Sequence, residues 1–186
     1  EFLEARLVPA GEFSLHSLPG ASKVIYLDFD GYTTTNTMWN TQNGGANGAS
    51  IVSPAYDIDN NPSSFSATEL ANIVEIWERV SEDFKPFNVD ITTEDPGLEA
   101  LRNIGGSDNN WGLRVAIGGS WQTVLPAKGS AGGWSFVGTF GQEIYGPAFA
   151  FVYNNPADVA EIISHESGHS LGLSHDGTTT QEYYPG

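Results

Sequence analysis

Three of the four histidines in this chain fall within one short stretch, His165-Glu166-Ser167-Gly168-His169-Ser170-Leu171-Gly172-Leu173-Ser174-His175-Asp176. The spacing H-E-x-x-H-x-x-G-x-x-H-D constrains the fold more than any other feature, because the chain around it must bring those rings to one point. Positions four apart on an α-helix share a face, so His165 and His169 can point at one metal ion. Glu166 follows the first ligand directly, projects to its side, and can reach a water on the metal without binding the metal itself. Gly172 is where the helix is expected to stop, since Gly takes the left-handed conformation after a helix at little cost. Leu173 and Ser174 then suffice to return His175 as a third ligand. Three imidazoles leave one position open on a tetrahedral zinc, the arrangement of a catalytic rather than a structural site. The competing account is a surface helix that happens to carry histidines. It does not explain why a chain with so few of them gathers three at ligand spacing.

This motif resembles that of the metzincin metallopeptidases, and the Asp after the third His resembles their reprolysin (adamalysin-like) branch. Further stretches extend the resemblance, to a group of secreted bacterial reprolysin-like peptidases. They are Lys23-Val-Ile-Tyr-Leu-Asp-Phe-Asp-Gly31, Ile76-Trp77, Glu82-Asp-Phe-Lys-Pro-Phe-Asn-Val-Asp-Ile-Thr-Thr-Glu-Asp-Pro96 and Ala131-Gly-Gly-Trp-Ser-Phe-Val-Gly-Thr-Phe140. Most of residues 15–186 is covered, and the histidine motif is its most specific part. The resemblance implies an α/β domain (α+β, zincin-like) over residues 23–186. Its twisted mixed sheet would have one antiparallel edge strand and pack against a long helix and a zinc-binding helix. It also implies Zn²⁺ on His165, His169 and His175, Glu166 as general base, a polypeptide substrate, and secretion. One departure stands out. Metzincins carry a Met-containing turn after the third His, whereas the only Met here is Met38. The expectation is that the natural chain continues past Gly186, which makes its own C-terminal fragment a candidate partner. Glu1 in place of Met likewise leads to the expectation of a processed form.

Composition bounds the remaining possibilities. A chain of 186 residues is one domain's worth and can bury a sizeable core. With 23 acidic against 7 basic residues the net charge is −16, a surface that repels phosphate backbones and anionic lipid. Neither nucleic acid nor membrane is therefore an expected partner. There are no cysteines, so no disulfide is possible and redox compartment is not legible.

Read in order, residues 1–22 lack a clear period and are expected to form an extended N-terminal arm in which His16 is a solvated bystander. Lys23 to Tyr32 alternates as a strand that is apolar on both faces, hence central to a sheet. Asp28 and Asp30 at its end are read as loop caps or, alternatively, cation ligands. Residues 33–65, rich in Thr, Asn, Gly, Ser and Pro, are expected to be a surface insertion. Within it Asp57-Ile-Asp-Asn-Asn61 is either a turn-rich loop or a weak Ca²⁺ loop lacking the full pattern. Ser66-Ala-Thr-Glu69 is a capping box. It opens a helix striped by Leu70, Ile73, Val74, Trp77, Val80 and Phe84 and ended by Pro86. Val89–Thr93 and Leu113–Ile117 read as strands, and Pro96–Ile104 as a brief helix. This order suggests α/β layering with mostly parallel strands.

Gly132–Gly138 is expected to be a short strand. In the resemblance Gly133, Trp134, Ser135 and Phe136 match the edge on which a peptide lies antiparallel; unaided, a flanking hairpin strand reads equally well. Ala148–Tyr153 is a buried strand. Asn155-Pro156-Ala157-Asp158 then starts a helix running to about Leu171, with an N-cap, Pro at its first position and an early acid. Tyr183 or Tyr184 is either a group near the metal or ordinary packing, and Asp176 is expected to be structural. Peptide-bond hydrolysis is the function expected. The alternatives are a catalytically silent zinc-bound binding or adhesion module, disfavoured because Glu166 is present, and a hydrolase for another polymer.

Overall fold

A computed structural model describes residues 11–42 and 48–177. In chain order its elements are β1 (Lys23–Asp28), β2 (Tyr32–Thr34), α1 (Met38–Gln42), β3 (Ile51–Ser53), α2 (Ala67–Phe84), β4 (Asp90–Thr92), β5 (Trp111–Ile117), α3 (Trp121–Val124), β6 (Gly133–Trp134), β7 (Ala148–Ala150) and α4 (Pro156–Ser170). The fold is mixed α/β. Five strands form a sheet in the order β4-β1-β5-β7-β6, and β2 pairs with β3 in a separate hairpin. The first four strands of that order are mutually parallel, and only β6 runs antiparallel, at one edge.

The alternation in β1 decides the layering. Ile25, Leu27 and Phe29 face a core shared with Ile91, Leu113, Val115 and Ile117. Against that side pack Ile73, Ile76, Val80 and Phe84 of α2 and Val159, Ala160 and Ile163 of α4, so both long helices cover one face. Val24 and Tyr26 point the other way, toward Leu101. On that second face Phe149 and Phe151 meet Trp39, Ile51, Val124 and Leu125. The capping box forms as its sequence predicts: Ser66 Oγ accepts from the Glu69 N–H and Glu69 accepts from the Ser66 N–H. Trp77 packs on the core and donates to the Ile91 carbonyl at 2.8 Å. No helix among the described residues is long and apolar enough to cross a membrane.

Four expectations need correction. Residues 33–65 are not a bare insertion, since they hold α1 and the β2–β3 hairpin. Trp39 and Asn40 organise them: the Trp39 indole donates to the Pro147 carbonyl at 2.8 Å, and the Asn40 amide to Thr34 and Ala49. β2 and β3, three residues each, lie in a stretch rich in Thr, Asn, Gly and Ser and show no period of their own. Pro96–Ile104 yields only one 3₁₀ turn, Leu98–Ala100, because Gly97 and Asn103 favour turns. Asp28 neither caps a loop nor faces an open cation site. It is fully buried beside the Arg114 guanidinium, which also reaches Asp95 at 3.2 Å. Burial, and then the nearby Asp30, push the Asp28 carboxyl well above its ordinary pKa.

The N-terminal arm, finally, is bound to the sheet. Its described part is laid along the outer edge of β4, where Ser17 N–H donates to Ile91 and Thr93 N–H to Leu15, both at 3.1 Å. His16 is no bystander: Nδ1 lies 2.6 Å from Asp90 Oδ2 and Nε2 3.0 Å from Glu94 Oε2. Burial opposes the charged imidazole, but Glu94 and Asp90 outweigh it and raise its pKa. The arm thus satisfies backbone groups that a free strand edge leaves open to association.

Candidate metal centre

Helix α4 is set at both ends by local chemistry. At its start the Asn155 side chain accepts from the Ala157 N–H at 3.1 Å, and Pro156 takes the first helical position. At its end Gly172 has φ 104°, the left-handed region. There the Leu173 N–H returns to the Gly168 carbonyl at 2.9 Å and the Gly172 N–H to His169 at 2.8 Å, a Schellman closure. The segment after β6 adds two more donors, Gly138 N–H to His169 at 2.9 Å and Phe140 N–H to Ser170 at 3.0 Å. Helix ends leave carbonyls without partners, and this one is closed by its own turn and by a neighbouring loop. Ser164 Oγ also donates to Asp83 on α2 at 2.6 Å, holding the helix in roll.

This closure brings the histidines together. His175 Nε2 lies 3.0 Å from Nε2 of His165 and 3.0 Å from Nε2 of His169. His169 Nδ1 is 2.8 Å from the Leu173 carbonyl oxygen, which can only accept, so Nδ1 carries the proton and the Nε2 lone pair faces the cluster. Nitrogens bound to one tetrahedral zinc at about 2.0–2.1 Å would stand about 3.3 Å apart, close to what the rings adopt. The group can hold a metal ion.

A second group, Asp57, Asp59 and Glu69, also brings its oxygens within 4.8 Å of one another. Here the carboxylates already accept backbone N–H groups. Asp57 Oδ1 takes those of Asp59 and Asn61, Asp59 takes that of Asn61, and Glu69 takes those of Ile58 and Ser66. Turn and cap hydrogen bonds set the geometry of this cluster, which could also hold a cation.

The cleft in front of the histidines has a volume of about 940 Å³ and is bordered by β6, Ser135, Val137 and the α4 face of Ile162, His165, Glu166 and His169. Glu166 is 5% exposed, and in the metal-free protein burial raises its carboxyl to about 8 from an ordinary 4.5. No protein-family model and no curated protein matches this chain. Of the expected edge residues, only Gly133 and Trp134 pair with β7. Ser135 lies beyond the strand, and the Phe136 ring packs at a tilt of 42° against Trp39, 4.2 Å centroid to centroid. Aromatic packing ends the strand earlier than its sequence pattern suggests. Tyr183 and Tyr184 lie outside the described residues.

Sequence reasoning missed the Leu173 carbonyl behind His169 and the N–H donors of Gly138 and Phe140. Backbone groups leave no residue-type signal, although Gly138 stands out as a turn position. The closeness of Gly133 to Glu166 was also missed. Its signal was the pair Gly132-Gly133 beside an otherwise apolar strand.

Proposed function

We propose that this chain is a zinc-dependent endopeptidase of zincin-like fold, similar to secreted reprolysin-like metzincins. What supports the reading is one constellation: three Nε2 atoms converging at 3.0 Å, with a buried carboxyl beside them, in a cleft edged by an antiparallel strand. His165, His169 and His175 would hold the ion; His175 is favoured over Asp176 because its Nε2 is the atom that reaches the other two. Zinc bound there supplies a Lewis acid and lowers the pKa of a bound water to about 7.

The chain's own groups perform the rest. Glu166 takes a proton from the attacking water and returns it to the nitrogen of the breaking peptide bond. The outer edge of β6 offers backbone N–H and C=O groups to an extended polypeptide, which orients the scissile bond without requiring particular side chains. Because backbone pairing reads the polymer and not its side chains, an unfolded protein is the natural probe.

Incubated with zinc and an unstructured polypeptide, the chain should release internal fragments visible by mass spectrometry, and a chelator should stop their release. A zinc-loaded chain that binds the polypeptide without cutting it would favour the binding-module alternative instead.

A further inference from the structure

We propose that Gly133 is a positioning residue for Glu166, an inference that rests on the peptidase reading for its catalytic meaning and on steric contact alone for its structure. Glycines are usually kept for backbone conformations closed to other residues, but Gly133 is not among those with positive φ. Space is the demand. A methyl carbon on Gly133 would sit 2.6 Å from Cγ and 2.9 Å from Oε1 of Glu166, and 2.5 Å from the Phe149 carbonyl oxygen. These distances are far inside van der Waals contact, and neither Cγ nor a strand carbonyl is a freely moving chain end. The β6 backbone therefore lies directly on the Glu166 side chain and fixes its rotamer between strand and helix.

The preceding glycine supplies an internal contrast. A methyl on Gly132 would meet Ile162 Cδ1 at 2.9 Å and Cγ1 at 3.0 Å, one helical turn before Glu166. Every atom met there belongs to the one half-buried Ile162 side chain, with no backbone atom among them, so a change of its rotamer relieves the contact. Two adjacent glycines thus lie over positions i and i+4 of α4, and only the second presses on a group with proposed chemistry. Gly133 sets the distance between the strand that would carry substrate and the carboxyl that would act on it.

Three measurements on Gly132→Ala, Gly133→Ala and the parent test this. For Gly133→Ala, zinc affinity by competition with a chromogenic chelator should stay within about 3-fold of the parent, since no ligand moves. Hydrolysis should lose about 100-fold in kcat with little change in KM, the size expected for a misplacement on the order of 1 Å. Gly132→Ala should stay near the parent in both. The third measurement needs no activity: thermal unfolding of the metal-free chain, with Glu166→Ala as second substitution. If Gly133 presses on Glu166, the Tm loss from Gly133→Ala should shrink to about half in the Glu166→Ala background, the coupling expected of contacting residues. Should Gly133→Ala alone fail to fold, recovery of a folded double variant carries the same meaning. Equal Tm losses in both backgrounds, an unfolded double variant, or kcat within 3-fold of the parent would overturn the proposal. If even the parent does not hydrolyse, the peptidase reading fails, while the unfolding cycle still decides the contact.

Discussion

Glu166→Gln should lower hydrolysis by about 10³-fold while leaving zinc content and the fold unchanged, within the range a general base contributes. Gln keeps the shape that fits beneath the backbone at Gly133, and it leaves His165, His169 and His175 in place. What it removes is the ability to take a proton. The same substitution should alter stability in the metal-free chain. Burial raises the Glu166 carboxyl from 4.5 to about 8 in the folded protein. As pH rises above 4.5 the unfolded chain releases this proton while the folded chain still holds it, so stability falls until about pH 8 and then levels. Glu166→Gln should flatten that decline relative to the parent, as read by Tm between those limits. An unchanged rate of cleavage would show that Glu166 is not the base, and parallel pH profiles of Tm would show that its carboxyl is not raised by burial.

His169→Ala is expected to act on the metal itself. His169 supplies one of three converging nitrogens, and its Nδ1–H is anchored on the Leu173 carbonyl at 2.8 Å. Losing an anchoring partner alone typically costs 10–100-fold in metal affinity. Loss of the ligand should exceed that, giving at least about 10²-fold weaker zinc binding in competition with a chelator. The helix should survive, because Val159, Ala160 and Ile163 keep their core contacts and the closure at Gly172 uses backbone atoms. Unchanged affinity in a folded variant would mean that the three histidines are not the ligand set.

The parts of this molecule that were legible in its sequence are those written in side-chain type and period. Ser66 and Glu69 announce the start of α2, and Asn155-Pro156 that of α4. The spacing of His165, His169, Gly172 and His175 dictates the convergence of the rings, because helix geometry and one left-handed Gly leave little choice. Pairing of strands across the chain was less accessible. That β1 is interior follows from its two apolar faces, but the pairing of β2 with β3 is braced by the Asn40 amide on Thr34 and Ala49, and Trp39 ties the same segment to Pro147; neither residue carries a periodic signal. His16 was misread because its partners, Asp90 and Glu94, are more than seventy residues away in sequence. Burial of Glu166 beneath Gly133 is likewise a relation between two distant elements, α4 and β6. The contacts of His16 and of Glu166 are long-range, whereas the Leu173 carbonyl behind His169 is only four residues away and escaped notice because a backbone group carries no residue-type signal.

The most direct test of the account is a titration of the metal-free chain with zinc, reading cleavage of an unfolded polypeptide against bound metal. The rate should climb linearly to one zinc per chain and then level, because the described residues gather a single histidine group. A chain that cuts equally well without metal, or one that stays inert with its histidine site filled, would contradict it.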